Sequence, residues 1–474
     1  MEKTIQRSWL LGVYPGLAGF FLMPPLQDDA YAIDSNIREK LLQGYLPEAL
    51  PRSWRFLKLA VEGKTAEEVF EAMPEGPERQ YNLFILDPTV ENLNLARSVW
   101  KEERSDERVL LETVAWGWQF NDRPPVLHDP LPAPEIVAFY QATRGYAAFS
   151  EGDSLLAALL LKDAAEIAFK TSPVFAARLY AESAQMFEKV LDHPPSPTFT
   201  PTNRQASSDF NDLYHGQAIK DAYKRFTDDT DMLTDENRKR VAEEVEHCYR
   251  TVLDLLKPTA FRGMRAEIWV QFGSFLQSHA SISRVGLQKA MQCYHEGLKE
   301  IDRNLQPETF AIAHMNLAIA YLSLPQHEER HLLRAALAVQ SLRQALNVLN
   351  YDEHPDLWAS VTTNLANAIQ HVRSAHVEDN LWEAVSLYEE VLSKPIAQVD
   401  PLRKARLLAN QGNALAHLGA FSRAVPRLKE AHALFMRFDC REEAGAVMDT
   451  LEEIERLRHH DHTDQDKGGL HVSP

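Results

Sequence analysis

By residue type and spacing, the part of this sequence best equipped for chemistry is a histidine cluster. His459, His460 and His462 lie together, with Asp461 and Asp464 among them and His471 beyond. Imidazoles and carboxylates this close bind Ni, Cu or Zn loosely without a formed site, and the same composition also reads as a plain polar tail. Cys440 with His417 or His432 sketches a thiol–imidazole pair. A thiol nucleophile needs an oxyanion hole and a substrate cleft around it, whereas these residues fall inside repeated helices and read as ordinary helix positions. Neither G-x-x-x-x-G-K-S/T nor G-x-G-x-x-G occurs, so no phosphate loop is present in the sequence. The expectation is a protein without a catalytic set and without a cofactor. WGWQFNDRPP (116–125) fits none of these patterns.

What recurs instead is a set of packing positions. Pro307, Pro355 and Pro401 each stand nine residues before an asparagine (Asn316, Asn364, Asn410) that opens an Asn-x-small run. Proline suits the first position of a helix, where its missing N–H costs nothing. Gly273, Ala318, Ala366 and Gly412 then supply a small residue where two helices cross, with Leu276, Tyr321, Ile369 and Leu415 three residues on. The second helices carry a stripe at i, i+4, i+7, which shares one helix face: Ala290, Tyr294, Gly297; Ala338, Leu342, Ala345; Ala384, Tyr388, Val391; Ala424, Leu428, Ala431. Successive close-contact positions are 45, 48 and 46 residues apart. From the end of each stripe to the next close-contact residue the interval is always 21 (297 to 318, 345 to 366, 391 to 412). The connection between hairpins is thus fixed in length, and the connection within them varies.

The stretch 354–392 resembles the long-period tetratricopeptide repeats of bacterial signalling and defence proteins. Pro355, Trp358, Ala359, Asn364, Leu365, Asn367, Ala368, Asn380, Leu381, Ala384, Val385 and Tyr388 carry the resemblance, which covers residues 261–450. The period of about 46 residues exceeds the roughly 34 of the standard repeat. Such repeats often precede a caspase-like CHAT protease domain, but the stretch after Ala431 is too short for another globular domain. The resemblance implies an all-α fold: a right-handed α-solenoid of TPR-like helical hairpins with a helical N-terminal region. It also implies a concave groove lined by the first helices. Carried onto this sequence, the groove comprises Val270, Ser274, Gln277, Met315, Ile319, Leu322, Thr363, Asn367, Gln370, Arg406 and Asn413, with Ala409, Ala416 and His371 beside them. Asn367 and Asn413 match the asparagine of peptide-carboxylate clamps, although Thr363 and Ala409 stand where the companion lysine would be.

Composition bounds the function. The formal charge of -18 disfavours nucleic acid and anionic membranes as partners. Three scattered cysteines, Cys248, Cys293 and Cys440, give no disulfide framework and point to a reducing, cytoplasmic setting. Two readings stand for residues 1–32. Lys3, Arg7, an apolar run from Trp9 to Met23 and Ala30-Tyr31-Ala32 outline a secretory signal; Gly12, Pro15, Gly16, Gly19 and Asp28-Asp29 favour a buried helix or loop.

Along the chain, residues 1–120 read as a helical region, with a capping box at Thr65 and Glu68. Residues 121–134 form a proline-rich connector, 135–191 helical hairpins, and 192–209 a proline-rich linker or loop. Residues 210–457 form the solenoid, and 458–474 a disordered tail. The functional expectation is an interaction scaffold that holds a protein partner in the groove of its repeats. The alternative is an assembly factor for a metalloenzyme, with His459, His460 and His462 handling the metal.

Overall fold

The computed structural model describes residues 45, 50, 52–61, 64–103, 105–129, 131–193, 215–227, 234–279, 286–324, 328–372 and 376–468; the side chains of a few helical residues, 328–332 and 459–468 among them, lie outside the description. Among the described residues all regular structure is helical, comprising a 3-10 turn at Arg52–Trp54 and twenty α-helices without a strand. The chain forms two compact units, Met1–Ile268 and Trp269–Pro474. The readings made for residues 1–32 and for most of the 192–209 linker fall outside the described residues.

The first unit begins with five short helices, α1 (Arg55–Val61), α2 (Ala66–Glu71), α3 (Pro77–Leu86), α4 (Val90–Val99) and α5 (Asp106–Gly117), each packed on the next. The capping box is formed: the Glu68 amide donates to Thr65 Oγ1, and the Thr65 amide donates to the Glu68 carboxylate. Five further helices follow: α6 (Pro134–Ser150), α7 (Ser154–Ala168), α8 (Pro173–Asp192), α9 (Gly216–Thr227) and α10 (Asp235–Leu256). Apolar almost all round, α7 has neighbours on most sides, α6, α8 and α9. Ser183 ties α8 to α7 by donating to the Ala158 carbonyl at 2.8 Å.

The sequence grouped α9 and α10 with the repeats, whereas the structure gives both to the first unit. Val241, Val245, Cys248, Tyr249 and Val252 form the buried stripe of α10, which lies along α8. An amphipathic period shows that a face must be covered but not which neighbour covers it. The boundary between the units falls inside α11 (Arg262–Ser278).

In the second unit the helices pair in chain order. They are α12 (Gly286–Glu300), α13 (Pro307–Ser323), α14 (Glu328–Leu346), α15 (Pro355–Ile369), α16 (Val377–Ser393), the single turn α17 (Ile396–Val399), α18 (Pro401–His417), α19 (Phe421–Arg437) and α20 (Arg441–Gly468). From α12 onward each packs on its successor, and α13 also meets α15, as α18 meets α20. This is the contact pattern of a sequential array of helical hairpins. Pro307, Pro355 and Pro401 open α13, α15 and α18 as expected. Asp400 adds a side-chain cap, accepting from the amides of Leu402 and Arg403.

Every residue of the four expected stripes is buried. The close-contact register is equally visible, because a Cβ added at Gly273 would lie 2.6 Å from the Tyr294 ring, and one at Gly412 2.6 Å from Leu428 Cγ. The links between hairpins are folded, which accounts for their constant length. Asp302 Oδ1 accepts from the Asn304 amide, and Asn350 Oδ1 from the Asp352 amide, two matching Asx turns. Each link then closes on the same backbone bond, Gln306 N–H to the Asp302 carbonyl and His354 N–H to the Asn350 carbonyl, both 2.8 Å. The third link contains α17 instead. Helical backbone continues to Gly468, into the stretch expected as a disordered tail. No helix among the described residues is long and apolar enough to cross a membrane.

Candidate functional site

The residues assigned to a groove lie on the first helices of four hairpins: α11 with α12, α13 with α14, α15 with α16, and α18 with α19. Many are occupied within the array. In the third hairpin the buried Tyr388 donates its hydroxyl to Asn367 Oδ1 at 2.5 Å and accepts from Gln370 Nε2 at 2.8 Å. Asn410, from the next first helix, donates to the same Asn367 oxygen at 3.2 Å. In the first hairpin Tyr294 donates to Gln277 Oε1 at 2.8 Å. Burial pushes its phenol pKa up, and hydrogen bonds from Ser274 and Asn316 act against that rise.

The two networks are built from equivalent positions. Relative to the close-contact residues Gly273 and Ala366, Ser274 and Asn367 stand one residue on, and Gln277 and Gln370 four on. Asn316 and Asn410 stand two before the next close-contact residue. The second and fourth hairpins place Leu342 and Leu428 where the tyrosines stand, and both leucines are fully buried. Their companions change too, with Leu322 and Ala416 at the glutamine position. The array therefore alternates between polar and apolar fillings of one recurring space.

Against that alternation Asn413 is the exception. It occupies the position of Asn367 but faces a hairpin whose tyrosine has become Leu428, and its Oδ1 is buried with no hydrogen-bond partner among the described residues. A buried acceptor without a donor is costly, about 1 to 3 kcal/mol.

The remaining groove residues divide by exposure. Met315, Ile319 and Leu322 are half-buried, with Met315 and Leu322 packed against the core of the second and third hairpins. Beside Met315, His314 has a buried Nδ1 without a partner and an edge-on contact with Phe310 at 4.5 Å. Burial, aided by His295, lowers its pKa to about 4, so the imidazole is neutral at pH 7. Val270 is buried, and Thr363 turns its hydroxyl back to the Ala359 carbonyl at 2.7 Å. Arg406 is exposed.

For the metal reading, His459, His460 and His462 sit on helical backbone but their side chains lie outside the described residues. Among the described residues no group of three or more His, Cys, Asp or Glu side chains is arranged to hold an ion. Cys248 and Cys293 are buried and Cys440 is half-buried. Burial pushes the Cys248 thiol up to about 12, which leaves it protonated and unreactive at neutral pH.

In the first unit WGWQFNDRPP has a physical account. Helix α5 ends on a Schellman closure, with Phe120 N–H on the Ala115 carbonyl and Gln119 N–H on the Trp116 carbonyl. Gln119 takes the left-handed conformation (φ 65°) that glycine ordinarily fills. Phe84 packs against both Trp118 and Phe120, with ring centroids at 5.4 and 5.5 Å. Asn121 bridges a bidentate pair, accepting from Arg97 and donating to Glu112, while Arg97 grips both Glu112 oxygens at 2.9 and 2.6 Å. Burial acts to raise the Glu112 pKa, but the bonds from Arg97 and Asn121 and the charges of Arg97 and Arg108 outweigh it and lower the value. Compared with known proteins, the chain matches no family model and no curated protein.

Proposed function

We propose that the second unit is a TPR-like solenoid that works as an adaptor, holding a protein partner along the face of its first helices. The observation that carries this reading is Asn413, whose buried carbonyl oxygen lacks the donor that Tyr388 gives Asn367. Asn413 as a residue is only half-buried, so a turn of its side chain brings that oxygen to the surface, where an extended segment of a partner supplies such a donor at its backbone N–H groups. The half-buried Met315, Ile319 and Leu322 give the same partner an apolar contact two hairpins earlier, and the neutral His314 beside them spares that region a charge. Affinity at repeat-protein surfaces concentrates in a few anchors of this kind.

The test is affinity capture from native extract with three forms of the full chain. The wild type retrieves a partner. Asn413→Leu loses it while remaining folded, because the substitution removes a polar atom that the array itself does not use. Met315→Glu with Ile319→Glu loses the same partner by charging the apolar segment, with circular dichroism unchanged. Retention of the partner by Asn413→Leu overturns the anchor, and retention by both forms overturns the binding face.

A further inference from the structure

A second site lies in the first unit, at the C-terminal end of α5, on the segment that fits no catalytic or repeat pattern. Here α5 and α6 enclose a pocket of about 400 Å³, within the range of small-ligand sites. Four aromatic side chains line it: Trp116, Trp118, Phe139 and Tyr146. Two of them are unusually open, Trp118 being 42% and Tyr146 38% exposed.

Their positions are held by specific devices. Gly117 lets α5 approach α6 closely, since a Cβ there would lie 3.0 Å from Thr143 Cγ2. The left-handed Gln119 turns the chain just after Trp118, and Phe84 backs the Trp118 ring. Tyr146 is tethered through its hydroxyl to Glu182, which Arg178 neutralises at 2.9 Å. Non-glycine residues held at positive φ concentrate at binding sites, where the surrounding structure sustains the strain.

The pocket's charge selects among ligands. Glu151 is its one ionisable acid, and none of its lining residues is Lys, Arg or His. Aromatic rings attract cations through their negative faces, strongly so when the cation's own hydration is weak, as in alkylated ammonium groups. We infer that this pocket binds an alkylated ammonium group, cradled by Trp116, Trp118, Phe139 and Tyr146, with Glu151 supplying the counter-charge. Two sources share that chemistry, a free choline-type compound and a trimethyllysine side chain on a peptide.

Calorimetric titration of the full chain tests this with choline, with choline's uncharged carbon isostere (tert-butyl in place of trimethylammonium), and with a peptide carrying trimethyllysine or unmodified lysine. The expected result is that choline or the trimethyllysine peptide binds at least about tenfold tighter than its uncharged or unmethylated counterpart. Binding by choline alone identifies the free compound as the source, and preference for the methylated peptide identifies the side chain. Trp118→Ala should abolish the heat with helicity retained. Glu151→Gln, a change at the exposed rim that leaves the packing alone, should weaken binding several-fold and decides the matter if the tryptophan variant misfolds. Equal binding of choline and its isostere would reduce the pocket to an apolar hole. That result, or no binding by either ammonium ligand, overturns the inference.

Discussion

In the third hairpin Tyr388 fills the space beside Ala366 and joins its hydroxyl to Asn367 and Gln370; in the fourth, Leu428 fills the same space beside Gly412, and Asn413 is left without a donor. The first hairpin repeats the tyrosine solution and the second the leucine solution. One backbone position thus accepts either chemistry, provided that the residues one and four places after the close contact change with it. Where they change together, none of these positions keeps a buried polar atom without a partner among the described residues. In the fourth hairpin the tyrosine and the glutamine are both replaced while Asn413 is kept, and its buried carbonyl oxygen is left without a donor among the described residues.

The largest expected break in this comparison is steric. Gly273→Ala and Gly412→Ala each bring a methyl to 2.6 Å from the facing side chain, but Tyr294 is pinned at its hydroxyl, and the Ala290 carbonyl also lies 3.1 Å from the added atom. Leu428 has no such tether, although it is fully buried and its Cγ must also give way. Denaturant titration should show Gly273→Ala destabilised by about 2 kcal/mol or more. Gly412→Ala should be destabilised less, because the clash meets no hydrogen-bonded group and the gain of about 1 kcal/mol from a better helix former offsets part of it.

Removing hydrogen-bond partners sharpens the contrast next. Tyr388→Phe strips the donor from Asn367 and the acceptor from Gln370, and should cost about 1 to 2 kcal/mol. Asn413→Leu removes an atom that has no partner, so its stability should rise by up to about 1 kcal/mol. Equal losses in the two variants would refute the distinction between satisfied and stranded positions.

A further contrast concerns pH and separates the two units. His314 titrates near 4 in the folded chain, below its ordinary 6.5, so the unfolded state binds its proton first and stability falls as pH drops from 6.5 toward 4. Glu188 has the opposite sign. Burial, against the Tyr249 hydrogen bond, holds its carboxyl at about 7, so the folded state keeps the proton and stability falls as pH rises from 4.5 to 7. Acidification from pH 7 to 5 should therefore weaken the second unit and favour the first. His314→Leu should flatten the first trend and Glu188→Gln the second, each measured by denaturation at the two pH values.

The repeats were legible because their markers are steric. A glycine or alanine against a buried stripe has few other uses, and Pro307, Pro355 and Pro401 fix where each first helix starts. The hydrogen bonds that occupy Asn367, Gln370 and Gln277 escaped the sequence, although their signal is present: each stripe tyrosine travels with a glutamine and an asparagine at fixed offsets, and each stripe leucine without the glutamine. The closure at Gln119 escaped because the left-handed cap is normally announced by glycine. The packing of α10 on α8 escaped because an amphipathic pattern marks a face to be covered without naming its neighbour.

The links at Asp302 and Asn350 have a consequence for how the chain tolerates change in length. A residue added to either link breaks its Asx turn or its closing backbone bond. A link folded in this way has no slack to absorb the extra length, so an insertion there would shift the hairpin that follows out of register with the one before. The connections inside the hairpins, which already differ in length, leave phase untouched. Length variation should accumulate at the tips of the hairpins and vanish between them, as in a screw whose thread can vary in depth but not in pitch.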